Sequence, residues 1–210
     1  MTVIIGIIAL KGGVGKSTLA RALAREFVAD GMTAKIADLD VLQGTSIAWN
    51  MRREAREILP RVSVESFRSS AEALKAADGF HALILDSPAR TNTGTLEIAQ
   101  KAHLVVTPCG ASTDDLEPAV LTFLELTREG VPKRKLVIAL NRIMTEAEER
   151  DARAYIEQAG FSCLGGSLPE RTAYRAAQSI GHAITEVKFP SLRERADEVI
   201  QSLIDKVSDG

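Results

Sequence analysis

The stretch Leu10-Lys11-Gly12-Gly13-Val14-Gly15-Lys16-Ser17-Thr18 constrains this chain more than any other. An unbroken apolar run, Val3 to Ala9, precedes it and reads as a buried strand. Thr18 to Val28 follows and reads as a helix. A strand, a glycine-rich loop and a helix in that order form the setting of a phosphate-binding loop. Glycine lets backbone N–H groups turn inward without side-chain obstruction, and the helix N-terminus adds its own free donors. The loop from Gly12 through Thr18 therefore predicts a cradle for phosphate oxygens. Lys16 is placed to reach the terminal phosphates, and the Ser17 hydroxyl to ligate Mg²⁺.

Two further carboxylate positions fit the same chemistry. Thr33 to Ala37 reads as a short strand ending in Asp38-Leu39-Asp40, and His81 to Leu85 as a buried strand ending in Asp86. Carboxylates at the C-terminal edge of strands lie where open α/β sheets bind ligands. Asp86 reads as a Walker B acid holding Mg²⁺. Asp40 is placed to orient the attacking water, with Asp38 as its supporting partner. Lys135 to Leu140 is a further strand, ending in Asn141; this amide suits the edge of adenine and equally suits an ordinary strand-end turn.

The loop departs from the usual phosphate loop in two ways: Leu10 stands where glycine is usual, and an additional lysine, Lys11, precedes Gly12-Gly13. In this it resembles the variant Walker A motif of the ParA/MinD family. Asp40, in place of that family's Asp-x-Asp-Pro-Gln acid, and Asp86 extend the resemblance, although the proline is absent and Gln43 comes one residue late. The resemblance implies an Mg²⁺-dependent ATPase that forms a homodimer around ATP. It implies a catalytic role for Lys11 across the dimer interface, on nucleotide held by the partner subunit. It further implies non-specific DNA binding and a centromere-binding ParB-like partner, in a plasmid or chromosome partition cycle. Alternatives on the same fold are a MinD-like or protein-cargo ATPase, and an ATP-dependent metabolic ligase, against which Lys11 speaks.

The 210 residues predict a single domain spanning 1–210. Beyond the elements above, helices are expected over 46–59, 69–77, 93–101, from about 113 to Gly130, 145–159 and 191–207, with strands over 62–67, 104–108 and 161–168. Strands as continuous apolar runs alternating with helices predict a doubly wound α/β fold, a mostly parallel sheet with helices on both faces. Cys109 and Cys163 lack ligand-type spacing and read as small apolar residues at strand ends. Arg52, Arg53 and Arg56 read as a solvated helix face. Asp114 or Asp115 reads as a helix cap rather than a dimer contact, and His81 as an ordinary strand-start residue without a partner.

The net charge of −2 is close to neutral, so DNA binding would need a local basic patch. Candidates are Arg150 with Arg153, Arg171 with Arg175, and Lys188 with Arg193 and Arg195, and the second is favoured. The final helix carries acids and bases together, unlike a basic membrane-targeting helix. No signal peptide or membrane span is expected, and no DNA-reading domain ahead of the first strand. The expected location is the cytoplasm, on the nucleoid when ATP is bound, with no membrane partner.

Overall fold

A computed structural model describes residues 2–89 and 92–208, with the side chains of residues 92 and 93 set aside. Arg90, the end of the loop after Asp86, lies outside the described residues. The sheet is built from β1 (Val3–Ile7), β2 (Ala34–Asp38), β3 (Ser63–Ser66), β4 (Ala82–Asp86), β5 (Leu104–Cys109), β6 (Leu136–Ile143) and β7 (Ser162–Cys163), in the spatial order β3-β2-β4-β1-β5-β6-β7, with β8 (Leu168–Pro169) added beside β6. Every strand pairing among the described residues is parallel. β1 lies centrally, so its C-terminal end opens between β4 and β5 with the phosphate loop above it.

Alternating strand residues feed two cores, as expected where both sheet faces are covered. Ile5, Ile7, Ile84 and Val106 face α1 (Lys16–Ala29), α2 (Thr45–Ala55) and α8 (Pro190–Ser208). Ile8, Leu83, Leu85, Val105 and Ile138 face α3 (Ser70–Lys75), α4 (Asn92–Lys101), α5 (Thr113–Arg128) and α6 (Glu146–Gln158). Helix α8 buries Ala196, Val199, Ile200 and Leu203 on the first core, the spacing of an amphipathic helix covering a sheet. The capping box expected at Thr145 and Glu148 is present at α6.

The structure corrects several boundaries. Helix α2 stops at Ala55 instead of running to Leu59, because Glu57 adopts a left-handed backbone and Ile58 N–H turns back to the Arg53 carbonyl. The expected strand over 161–168 is split into β7 and β8, since Gly166 takes a positive φ between them. Strand β6 continues through Asn141 to Ile143. His81 does have a partner. Its Nδ1 lies 3.0 Å from Thr33 N–H, joining the starts of β2 and β4.

One glycine of β1 serves close packing. A Cβ on Gly6 would lie 2.5 Å from Ile98 Cγ2 of α4. Gly6→Ala should therefore cost about 1–3 kcal/mol through overpacking. Ile98→Ala alone should also destabilise, by about 2–5 kcal/mol. Urea denaturation of both single variants and the pair should show losses well short of additive, because the second change makes room for the first. Additive losses would mean the two residues do not meet.

Candidate functional site

The phosphate loop sits at the C-terminal end of β1 with Gly13 and Gly15 at positive φ, so the backbone turns there in a way L side chains resist. Gly15 is also the N-cap of α1, and Leu19 N–H bonds its carbonyl at 3.1 Å. The cradle is fastened from β6. Asn141 Nδ2 donates to the Val14 carbonyl at 2.6 Å, and the Arg142 guanidinium donates to the Gly13 carbonyl. Arg142 holds a left-handed backbone to do so. Asn141 thus stands against the loop itself, and a Cβ on Gly15 would collide with it.

Lys16 is buried at the first turn of α1. Burial draws its pKa down, and the negative fields of Asp86 and Asp40 oppose that shift. Ser17 and Thr45 share a hydroxyl hydrogen bond of 2.9 Å, which brings the start of α2 to the loop. Lys11 is arranged differently. Its side chain is 53% exposed and its ammonium is paired with Asp115 at the start of α5. That pair raises the Lys11 pKa. Asp115 also accepts from the Ser112 hydroxyl at 3.0 Å, while Ser112, the N-cap of α5, makes no side-chain capping bond. The capping reading of Asp115 is therefore replaced by an ion pair with Lys11.

The carboxylates form the interior of the site. Asp38 is buried, and its two oxygens hold the next loop together. Oδ1 accepts from Asp40 N–H at 3.1 Å, and Oδ2 from Ser46 and Ile47 N–H at 2.9 and 3.3 Å. It thereby satisfies orphan donors at the N-terminus of α2, the work a capping side chain usually does. Asp40 stays partly exposed above it, its Oδ1 accepting from Gln43 N–H at 3.2 Å. Asp86 is buried beside Asp38 and accepts from Ser46 Oγ at 2.8 Å. Burial pushes its pKa up to about 6, against the pull of the Ser17 and Ser46 hydroxyls. Among the described residues, Asp86 Oδ1 is buried without a hydrogen-bond partner. A buried carboxylate oxygen without a partner and a nearby serine hydroxyl are oxygen donors of the kind a hard cation such as Mg²⁺ takes, the remaining positions going to water and phosphate. Ser17 and Asp86 are thus the residues that fit a metal.

A cleft of about 80 Å³ opens on the other side of the loop. Gly13, Gly15 and Thr18 form one wall, and α7 (Thr172–Ser179) with the residues before it forms the other, including Arg171, Arg175 and Gln178. Glu170 lies 3.3 Å from Arg175 and 3.6 Å from Arg142. Of the other basic candidates, Arg153 is spent on Glu149 and on the Leu164 and Gly166 carbonyls, and Arg150 lies 3.6 Å from Asp151.

The sequence reading misplaced Arg53. It is 1% exposed, not solvated. Its guanidinium bonds both oxygens of Glu186, at 2.6 and 3.0 Å, and the carbonyls of Pro60 and Gly181. Thr45 and Ser46 were also missed. The signal available was their position, directly after the acid-bearing strand and at the start of a helix.

The ParA family model, described as the NUBPL iron-transfer P-loop NTPase, matches residues 1–70, the part that holds the phosphate loop, Asp38 and Asp40. Solved structures of similar fold extend over nearly the whole chain. The fold is the one these ParA and MinD structures share. MinD from Pyrococcus horikoshii, complexed with Mg-ADP, is 16% identical, with 99% of this chain and 98% of that one covered and a TM-score of 0.75. McdA from Cyanothece, in complex with ATP, is 16% identical over 96% of each chain, TM-score 0.73. A ParA family ATPase from Chlorobium tepidum is 16% identical over 97% of this chain and 99% of its own, TM-score 0.68. No curated protein sequence matches the chain. The expected doubly wound α/β P-loop fold is the one observed.

The buried Asp86 carries a pH prediction. Its pKa of about 6 lies above the 3.8 of a free aspartate, so the folded state holds the proton more tightly than the unfolded one. Stability is then lost as pH rises from about 4 to 6, and the deficit is complete above that range. Two pH units correspond to about 3 kcal/mol at most. Asp86→Asn keeps an acceptor for Ser46 and removes the charge. In EDTA at pH 8 it should melt higher than the parent protein, and the gap should close by pH 4. An Asn variant that melts lower across the whole pH range would refute this account of Asp86.

Proposed function

We propose that the protein is an Mg²⁺-dependent ATPase that dimerises on ATP, binds DNA without sequence preference and partitions plasmid or chromosomal DNA. The observation that carries the reading is the division of labour between the two lysines of the loop. Lys16 is buried at its own phosphate cradle, whereas Lys11 lies half-exposed at the rim with its ammonium held by Asp115. A cation so placed serves nucleotide in a second copy of the chain, after leaving Asp115.

Within one subunit, Gly12, Gly13, Val14, Gly15 and Thr18 supply the phosphate cradle, Lys16 neutralises the terminal phosphates, and Ser17 with Asp86 holds Mg²⁺. The metal draws charge off the phosphate oxygens when bound. Asp40, outside the buried pair, orients the attacking water. Catalysis here is a matter of positioning and charge, so it depends on residues held in place before the substrate arrives. Asn141 borders the cleft and is the candidate adenine contact.

DNA binding is assigned to α7, where Arg171 and Arg175 stand exposed beside the cleft. Dimerisation would set two such patches side by side. A centromere-bound ParB-like protein is the proposed stimulus for hydrolysis, and the proposed setting is the cytoplasm, on the nucleoid in the ATP state. Among the described residues no helix is long and apolar enough to cross a membrane. The MinD-like and protein-cargo readings keep the same ATPase cycle and change only what the dimer carries.

Two measurements test the cycle. By light scattering, Asp40→Ala should bind ATP with Mg²⁺ and accumulate as a dimer with hydrolysis strongly reduced. Lys11→Ala should bind ATP and stay monomeric, and a Lys11→Ala dimer as tight as the parent's would remove the trans role of Lys11. Fluorescence anisotropy of a random-sequence duplex should rise with protein plus ATP, but not with ADP. The signal should fall steeply with salt, with a log–log slope of about −0.9 per phosphate contact. Arg171→Ala with Arg175→Ala should abolish it, once unchanged ATP affinity has been checked. Absence of ATP-dependent binding at low salt would shift the function to protein cargo.

A further inference from the structure

Arg21 is a buried cation on α1, one turn beyond the phosphate loop. A charge removed from water needs partners that fix it, and its partners here are unusual. Its Nε donates to Ser46 Oγ at 3.3 Å, and its Nη1 donates to Gln178 Oε1 on α7 at 3.1 Å. Its guanidinium also lies 5.8 Å from the centre of the Trp49 ring, with Arg53 on the same ring at 5.4 Å. The Ser46 hydroxyl has one proton to give. Because it accepts from Arg21, that proton goes to Asp86 Oδ2, at 2.8 Å. The relay Arg21–Ser46–Asp86 therefore fixes the carboxylate's rotation and occupies one oxygen, leaving Oδ1 without a protein partner.

We propose that Arg21 is a positioning residue which, through Ser46, presents Asp86 Oδ1 to the metal, and which through Gln178 ties that carboxylate to the nucleoside side of the cleft. The inference rests on the assignment of Ser17 and Asp86 to Mg²⁺. Arg21 bonds Ser46 and Gln178, and not Asp86 itself. It acts by setting which way a neighbour's proton points, and its second arm reaches Gln178, which lines the cleft beside Gly13 and Gly15. The two ends of the site thus share one buried cation, whose guanidinium lies beside an indole that is itself buried and bonded through Nε1 to the His182 carbonyl at 3.0 Å.

The test separates metal affinity from nucleotide affinity. A fluorescent ATP analogue is titrated into the parent protein and into Arg21→Met, Arg21→Lys, Ser46→Ala and Gln178→Leu, in EDTA and across a Mg²⁺ series. Arg21→Met should bind the analogue in EDTA within about twofold of the parent. It should need about tenfold more Mg²⁺ for the metal-dependent gain, the size expected for one hydrogen bond to a charged system. Ser46→Ala should reproduce that shift. Arg21→Lys keeps the charge and one donor, and should recover part of it. Gln178→Leu should shift the Mg²⁺ requirement in the same direction by about two- to threefold, and add nothing when combined with Arg21→Met, because it acts through Arg21. An unchanged Mg²⁺ requirement in folded Arg21→Met, or in Arg21→Lys and Ser46→Ala should the Met variant not fold, would overturn the proposal. Equal losses with and without Mg²⁺ would reduce Arg21 to a structural residue, which also overturns it. Additivity of Arg21→Met and Gln178→Leu would remove the tie across the cleft. A parent protein whose analogue binding ignores Mg²⁺ altogether would instead refute the metal assignment beneath the proposal, a distinct result.

Discussion

Two buried carboxylates stand side by side at the heart of this molecule. Strands β2 and β4 pair in a register that sets Asp38 directly opposite Asp86, both shut away from water. Like charges so placed repel, and burial penalises each of them separately. The surroundings answer with donors and cations. Asp38 takes three backbone N–H groups, Asp86 takes the Ser46 hydroxyl, and the ammonium of Lys16 and guanidinium of Arg21 supply opposing charge. Much of the local architecture serves that arrangement. The turn at Gly44, the start of α2 and the side chain of Arg21 are where they are because the acids need them.

The same arrangement explains why the chemistry is divided in depth. The inner acids are immobilised, one as a cap for α2 and the other with a free oxygen. Asp40, Val41 and Leu42 lie outside them, and Leu42 is 99% exposed. The loop that carries Asp40 is therefore anchored at both ends by Asp38 and open at its tip. Lys11 sits on the rim, held among the described residues by Asp115. Lys16 and Asp86 are buried and pinned, while Lys11, assigned to events between molecules, is half-exposed and held by an ion pair.

Legibility from sequence followed the same division. The phosphate loop, the acid-tipped strands and the alternating order of strands and helices were readable because each rests on local rules, namely glycine at turns, apolar runs in parallel strands and acids at strand ends. The fold and the placement of Lys16, Ser17, Asp40 and Asp86 at one sheet edge followed. What escaped depended on contacts distant in sequence. Arg53 looked solvated because its partner Glu186 and the Gly181 carbonyl come from the far end of the chain. Asp115 looked like a cap because Lys11 is a loop away in space but more than a hundred positions away in the chain. The break between β7 and β8 is an exception, since its cause, the turn at Gly165-Gly166-Ser167, is local and stood in the sequence.

The stack of Arg21, Trp49 and Arg53 has a consequence for how this chain can diverge. Two guanidinium groups near one indole, with Ser46, Gln178 and Glu186 as their anchors, form a set in which each member supports another's burial. Loss of Trp49 would leave two arginines without their shared surface, and loss of Glu186 would strand Arg53 at a cost of about 3–5 kcal/mol. Drift at these six positions is thus confined to joint replacement. Related chains should carry the whole set or an apolar substitute for all of it, with few intermediates, which makes the group a lineage marker independent of the phosphate loop.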